Sequence, residues 1–324
     1  MRPTVLVTAA FLAPEAAALL EEAGLTVACT TAYPDEAALL QGIAAHRPAA
    51  ILHRQGRITG AVMDAALPGL RVIARHGAGV DGIDLSAAAA RGLVVTRAAG
   101  ANSRSVAEHA MALMLALLKD LPDIAAGMAA GRWEKTSRMT RDVEGMTLGL
   151  VGHGAIGSKV ARLAAAFGMR VLAHDPLLPP GPLPGPAERV ESLAAMLPQA
   201  QVLSLHCPLD STTRGLIGAA EFAALPVGAI LVHTARGGVA DEGALLAALD
   251  SGRLAAAGLD VFATEPLPDG HPLRAHPRVL ATPHIAANTP RGAVGMATGA
   301  AESIVAVLAG RQPALPGAIV VPAA

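Results

Sequence analysis

Apolar positions along this chain fall into two alternating rhythms. Short runs such as "TVLVTA", "TVACT", "AAILHR", "RVIARHG" and "LVVTRA" are rich in Val, Ile and Leu and read as buried strands. Between them, stretches beginning near Pro14, over 35–46 and 60–66, and at "DLSAAAARG" read as helices. The first hundred residues therefore predict a small α/β unit of their own. A long apolar helix follows over 103–118, its start marked by "NSRSVAEHA". From residue 146 the strand rhythm resumes in "LGLVG", "RVLAHD", "VLSLHC", "AILVHTA", "AAGLDVF" and "RVLATPH", enough for a doubly wound parallel sheet. The stretch "DPLLPPGPLPGP" over 175–186 reads as a proline-rich surface loop. The tail predicts a helix over 292–308 with no strand to pair with, and no solenoid repeat is visible.

The opening "MRPTVLVTAAFLAPEAAALL" has the charge and apolar middle of a signal peptide. A strand over 4–8 and a helix from Pro14 fit it better, because Glu15, Glu21 and Glu22 then share the wet side of that helix. No other stretch approaches the roughly 18 uncharged apolar residues of a membrane span.

Composition narrows the field. A chain of 324 residues is comfortable for two domains, and 52% hydrophobic content excludes a disordered one. Aromatics are only 2%, so the core is expected to be built of small side chains. A net charge of −1 offers no general attraction for nucleic acid or an anionic membrane. Cys29 and Cys207 lack metal-ligand spacing and read as buried free thiols of a cytoplasmic protein, with no metal site.

The chemistry begins with "VGHGAIGSKV". Gly152 permits a tight turn after a strand, Gly154 lets the backbone approach a ligand, and Gly157 lets the following helix pack closely. The helix then aims free N–H groups and the positive end of its dipole at the loop, which favours a pyrophosphate. Asp175 ends the next strand, where a carboxylate accepts hydrogen bonds from an adenosine ribose. A glycine-rich turn in an ordinary α/β protein is the alternative, and it leaves Asp175 unexplained.

Three more polar residues follow three successive strands: Arg236, Glu265 and His284. Ligands of open α/β sheets bind outside the carboxyl ends of strands, so all three belong at one edge. Arginine grips a carboxylate with two parallel hydrogen bonds, and a carboxylate beside histidine favours the imidazolium. Together they suit hydride transfer with proton exchange. Singly, they could be a capping arginine, a solvated loop acid and a buried histidine bonded to backbone.

The segments "ARHGAGVDGIDLSAAAARGLVVTRAAGANSRSVAEHAMALMLALLK", "GMTLGLVGHGAIGSKVARLAAAFGMRVLAHDP", "HCPLDSTTRGLIG", "HTARGGVADEGALLAAL", "AAGLDVFATEPLP" and "ATPHIAANT" resemble the D-isomer-specific 2-hydroxyacid dehydrogenases, especially the D-3-phosphoglycerate dehydrogenase and hydroxypyruvate reductase branch. The resemblance covers about 72–289. It implies a Rossmann-type NAD-binding domain over 100–287 and a discontinuous, smaller, flavodoxin-like substrate-binding domain over 1–99 and 288–324. It implies Arg236 on the substrate carboxylate and carbonyl, His284 as proton donor or acceptor, and Glu265 as its partner. For NAD it implies Gly152, His153, Gly154, Ala155, Ile156, Gly157, Asp175, His206, Cys207, Pro208, Thr213, Thr234, Ala235, Arg236, Asp260 and His284. For substrate it implies Arg54, Gln55, His76, Gly77, Ala78 and Gly79 beside Arg236 and His284.

The family often has Asn where this chain has His233, which leaves the nicotinamide-side contact open. A regulatory domain carried by some phosphoglycerate dehydrogenases is not expected. A homodimer through the nucleotide-binding domains, with the helix over 103–118 contributing, is expected.

The reading is thus an NAD-dependent oxidoreductase that interconverts a small D-2-hydroxy acid and its 2-keto acid. Arg54, Arg57, Arg75 and His76 hint at a second anionic group on the substrate. The alternatives are an NAD-binding, corepressor-like protein of the same fold, or a same-fold dehydrogenase of another substrate such as phosphite.

Overall fold

The computed structural model describes residues 2–322, and the chain divides into two compact units, residues 1–102 with 288–324, and residues 103–287. In the first unit, β1 (Thr4–Val7), β2 (Thr26–Cys29), β3 (Ala50–His53), β4 (Val72–Arg75) and β5 (Val94–Arg97) run parallel. Helices α1 (Pro14–Glu22), α2 (Glu36–His46), α3 (Gly60–Ala66) and α4 (Leu85–Ala90) connect them. The helix starts obey side-chain chemistry: Asp35, Thr59 and Asp84 accept the N–H groups of Ala38, Val62 and Ala87.

The second unit opens with α5 (Ser103–Leu118) and α6 (Leu121–Ala129), then β6 (Thr147–Val151), α7 (Gly157–Ala166), β7 (Arg170–His174) and β8 (Glu188–Arg189). It continues through α8 (Leu193–Met196), β9 (Val202–Leu205), α9 (Ala219–Ala224), β10 (Ala229–His233), α10 (Glu242–Asp250), β11 (Leu254–Leu259) and β12 (Val279–Ala281). Among the described residues its sheet has the order β12-β11-β10-β9-β6-β7-β8, parallel throughout. Strand order reverses between β6 and β9, the position where open α/β sheets make their ligand crevice. Leu148, Leu150, Val202, Ile230 and Val232 bury one face against α5 and α7. Leu203, Leu205, Leu231 and Leu259 bury the other against α9 and α10. Helix α6 was not foreseen, because Pro122 and Gly127 interrupt its apolar rhythm.

The chain returns to the first unit as α11 (Pro290–Leu308) and β13 (Ile319–Val321). Strand β13 pairs antiparallel with β5, which corrects the expectation that the tail helix has no strand near it. Three residues behind a Pro- and Gly-rich bend are too few to show a period of two. The sheet order is β13-β5-β4-β3-β1-β2, and helices cover both faces, α1 with α11 on one and α2 with α3 and α4 on the other. Cys29 is exposed, not buried as its apolar strand implied, because β2 is the edge strand and its last residue faces water. No helix among the described residues is long and apolar enough to cross a membrane.

Both units bury histidines. Burial and the charge of Arg75 lower the His53 pKa to about 3, and burial with the charges of Arg54 and Arg75 lowers that of His76 to about 4. Burial lowers His233 to about 4, although the backbone of Arg236 and Gly237 opposes the shift. These rings stay neutral in the folded chain below pH 6.5, where the unfolded chain takes up protons. Stability must therefore fall as pH drops from about 6.5 toward 4, by up to about 1.4 kcal/mol per pH unit for each such ring. Thermal unfolding of the nucleotide-free protein between pH 7 and pH 5 reads this. His233→Asn should flatten the dependence of the second unit, and an unchanged slope would show that His233 does not contribute.

Candidate active site

Strands β10, β11 and β12 lie side by side and parallel, so their carboxyl ends share one edge. Arg236 follows β10, Glu265 follows β11 and His284 follows β12. The structure brings two of them into direct contact: His284 Nδ1 lies 2.6 Å from Glu265 Oε2. Glu265 Oε1 accepts the Phe262 N–H at 3.0 Å, which fixes the carboxylate from behind. Burial pushes the Glu265 carboxyl up, but the hydrogen bonds from His284 and Phe262 and the charges of His284 and Arg236 outweigh it, so its pKa stays below the ordinary value. With Nδ1–H donated to Glu265, Nε2 is the ring atom left to exchange a proton with a ligand.

The loops that carry these side chains are locked backbone to backbone. A Cβ on Gly237 would stand 1.9 Å from the Phe262 carbonyl carbon and 2.3 Å from the Ala263 nitrogen, so only glycine lets the Arg236 turn rest on the Glu265 turn. His284 itself has φ +53, a left-handed conformation that a histidine adopts only when its surroundings impose it.

Asp260 imposes it. Its carboxylate, 1% exposed, accepts the Thr282 hydroxyl at 2.6 Å and the N–H groups of Ile285 and Ala286 at 2.9 Å each. The His284 N–H donates to the Asp260 carbonyl at 2.9 Å. The histidine loop is thus wound around one buried carboxylate. His109 on α5 completes this support, its Nε2 3.0 Å from Thr282 Oγ1. Sequence reading missed His109 and Thr282; "SVAEHA" showed only a polar position on an apolar helix.

On the same sheet, the glycine-rich loop joins β6 to α7. Gly152 has φ +94, and a Cβ there would meet the backbone of His206 and Cys207 at 2.9 Å. A Cβ on Gly157 would stand 2.1 Å from the Gly152 carbonyl oxygen. Gly154 has nothing within 4 Å of where its Cβ would lie. Two glycines are therefore required by the fold, and the third leaves open space in front of a helix start with no side-chain cap. Such a cradle fits a dinucleotide pyrophosphate. Asp175 Oδ2 accepts the His153 N–H at 2.8 Å and Oδ1 the Leu177 N–H at 3.0 Å, leaving lone pairs for a ribose.

The structure treats the remaining cofactor candidates unequally. Buried Thr234 Oγ1 and His206 Nδ1, at the ends of β10 and β9, lack protein partners among the described residues and suit polar atoms of a ligand. Thr213 Oγ1 instead serves its own turn, donating to the Pro208 carbonyl and accepting the Asp210 N–H. Burial pushes the Cys207 thiol up to about 11, so it offers no thiolate.

In the first unit, Arg54 and Gln55 follow β3, while His76, Gly77, Ala78 and Gly79 follow its neighbour β4. Arg75 joins the two loops: its Nε donates to the Gly79 carbonyl and its Nη1 to the Arg54 carbonyl. The Gln55 side-chain oxygen accepts the Tyr33 N–H, and the Arg54 guanidinium lies 4.8 Å from the Phe11 ring centre. Of the cations that hinted at a second anionic group, Arg75 is engaged inside the unit and His76 is neutral.

Comparison with known proteins agrees with this geometry. Residues 111–286 match the family described as "D-isomer specific 2-hydroxyacid dehydrogenase, NAD binding domain". The chain is 41% identical over 261 residues to the D-3-phosphoglycerate dehydrogenase of Mycobacterium tuberculosis, across 81% of this chain and 49% of that one. It is 41% identical over 235 residues to the hydroxypyruvate reductase of Thermotoga maritima, across 72% of this chain and 76% of the other. A crystal structure of a Thermus thermophilus protein is similar across 98% of this chain and 100% of that one, with a TM-score of 0.88 and 40% identity. The chain spans about half the length of the mycobacterial relative.

Two predictions follow from the loop. Gly157→Ala should unfold the second unit or cost more than about 4 kcal/mol, whereas Gly154→Ala should keep the melting temperature and weaken NADH at least about tenfold. Thermal melts and NADH fluorescence titrations separate the two, and equal melting losses would contradict the division of labour. Asp175 should also favour NADH over NADPH by about tenfold or more, since one misplaced charge costs about 1.4 kcal/mol. The nearest following cation, Arg189, is engaged with the Pro179 and Gly181 carbonyls and is not placed to greet a 2′-phosphate. Equal kcat/KM for both cofactors would sink this.

Proposed function

The chain belongs to the D-isomer specific 2-hydroxyacid dehydrogenase family, and within it we propose that the protein is an NAD-dependent oxidoreductase interconverting a D-2-hydroxy acid and its 2-keto acid. The observation that carries this reading is the 2.6 Å contact of Glu265 with His284, at the sheet edge where Arg236 also emerges. Bound NAD supplies the hydride acceptor, and NADH the donor, at the substrate's C2.

This chain's own residues do the rest. Arg236 offers a planar fork to a carboxylate and places positive charge beside the carbonyl oxygen. In reduction, His284 Nε2 donates a proton to that oxygen as it gains negative charge. In oxidation the neutral ring takes the hydroxyl proton. Glu265 holds the ring by Nδ1 and compensates the charge of the imidazolium. Within the first unit, the amides of Ala78 and Gly79 in the loop after β4 are proposed as donors to an anionic group. Hydroxypyruvate and the keto acid related to 3-phosphoglycerate are the first substrates to try, given the names of the two curated relatives.

An NADH-oxidation assay over a panel of 2-keto acids tests the reading, with the matching amides as controls. Keto acids should react and amides should not. His284→Ala should lower kcat about 10²–10⁴-fold. Glu265→Gln keeps the shape and removes the charge that compensates the imidazolium, so the alkaline limb of reduction should move to lower pH. Tight NADH binding with no keto acid reduced would instead favour a non-catalytic, NAD-binding role.

A further inference from the structure

The turn that carries Glu265 depends on a second carboxylate outside the reacting trio. Two consecutive backbone donors in this turn point at carboxylates: the Phe262 N–H at Glu265 Oε1, 3.0 Å, and the Ala263 N–H at Glu242 Oε1, 2.8 Å. Glu242 is the first residue of α10, which Asp241 caps by accepting the Ala244 N–H at 2.7 Å. Its side chain is therefore anchored to a helix start and reaches sideways to the turn. The other oxygen, Oε2, lies 3.5 Å from His271 Nε2. His271 Nδ1 faces the Leu273 N–H at 3.4 Å, so in the neutral ring the Nε2 proton faces Glu242. Glu242 thus binds both ends of the segment 263–271, which has Glu265 inside it.

We propose that Glu242 is a positioning residue of the acid–base pair, holding the Phe262–Ala263 peptide in the one register in which Glu265 Oε2 reaches His284. The proposal rests on reading Glu265 and His284 as that pair. Gly237 fixes where the same peptide lies by close packing. The hydrogen bond from the Ala263 N–H to the Glu242 side-chain oxygen sets its rotation. Rotating that peptide changes ψ of Phe262 and φ of Ala263, which redirects the chain that leads to Glu265 and draws its carboxylate away from the Phe262 N–H and the imidazole. The charged and titratable groups around the pair are Arg236 beside Glu265, Asp260 with His109 at the His284 loop, and Asp241 and His271 next to Glu242, so a pure charge effect has to be separated from geometry.

Three variants separate them: Glu242→Asp keeps the charge and retracts the acceptor, Glu242→Gln keeps the acceptor without the charge, and Glu242→Ala removes both. The readout is the titration midpoint of the His284 ring, followed by NMR in the nucleotide-free protein with labelled histidine. It needs no turnover and stands even if no keto acid proves to be a substrate. Glu242→Asp and Glu242→Ala should move the midpoint to lower pH by about half a unit or more, toward that of Glu265→Gln. Glu242→Gln should stay within a few tenths of the parent. In turnover, Glu242→Asp should lower kcat about tenfold while KM for NADH holds. If Glu242→Ala does not fold, the Asp and Gln variants still decide. A parental midpoint in Glu242→Asp, or a full shift in Glu242→Gln, would overturn the proposal.

Discussion

Backbone resting on backbone, with no room for a single carbon between, is the constraint on which the second unit depends. It recurs at Gly157 against the Gly152 carbonyl, at Gly152 against the His206–Cys207 peptide, and at Gly237 against the Phe262–Ala263 peptide. The first closes the turn after β6 on itself, and the other two join loops that leave carboxyl ends of neighbouring parallel strands. A parallel sheet ends in loops whose N–H and C=O groups have no ladder partner, and such groups must find partners or water. Close backbone approach lets these loops satisfy one another and leaves their side chains to face a ligand. The same device that closes the fold thus gathers the polar groups of β6, β10 and β11 into a small space.

Charge is handled by the opposite means, with side chains aimed at backbone. Asp260 accepts two N–H groups and a hydroxyl from the histidine loop, Glu265 accepts Phe262, and Glu242 accepts Ala263. Carboxylates serve well here because hydrogen bonds to an ionised acceptor are roughly twice as strong as neutral ones. The imidazole of His284 is different, because it must change charge during a cycle. It stays partly exposed and, among the described residues, is tied by one ring nitrogen only, while the supporting acids are buried or anchored. Rigidity lies in the acids, and freedom to titrate lies in the ring they hold.

This division explains what was legible in the sequence. Gly152, Gly154, Gly157 and Asp175 could be read because each answers to local backbone chemistry within one strand–turn–helix–strand passage. Arg236, Glu265 and His284 could be read because each directly follows a strand of obvious apolar pattern. Glu242, His109 and Thr282 could not. Each reaches its partner across the fold: Glu242 lies 21 residues from Ala263, and His109 lies 173 residues from Thr282. No periodicity encodes such a pairing, and each residue has an ordinary local reading. Cys29 misled for the same reason, since its apolar strand looks buried until the sheet order makes it an edge.

The cations of the first unit show why residue type alone overstates a site. Arg54, Arg57, Arg75 and His76 read from the sequence as a basic cluster ready for a second anion. In the fold, Arg75 donates to the Gly79 and Arg54 carbonyls and to His53 Nδ1, which can accept because burial and Arg75 itself keep that ring neutral. His76 is neutral for the same two reasons, burial and neighbouring guanidinium charge. Guanidinium groups brought close together suppress the charge of adjacent imidazoles, so positive charge does not add along the cluster. Among the described residues no backbone carbonyl accepts a hydrogen bond from the Arg54 or the Arg57 guanidinium, so the charge that the cluster keeps available reduces to these two. Arg54 lies over the Phe11 ring, an apolar face that holds the guanidinium in place without neutralising it.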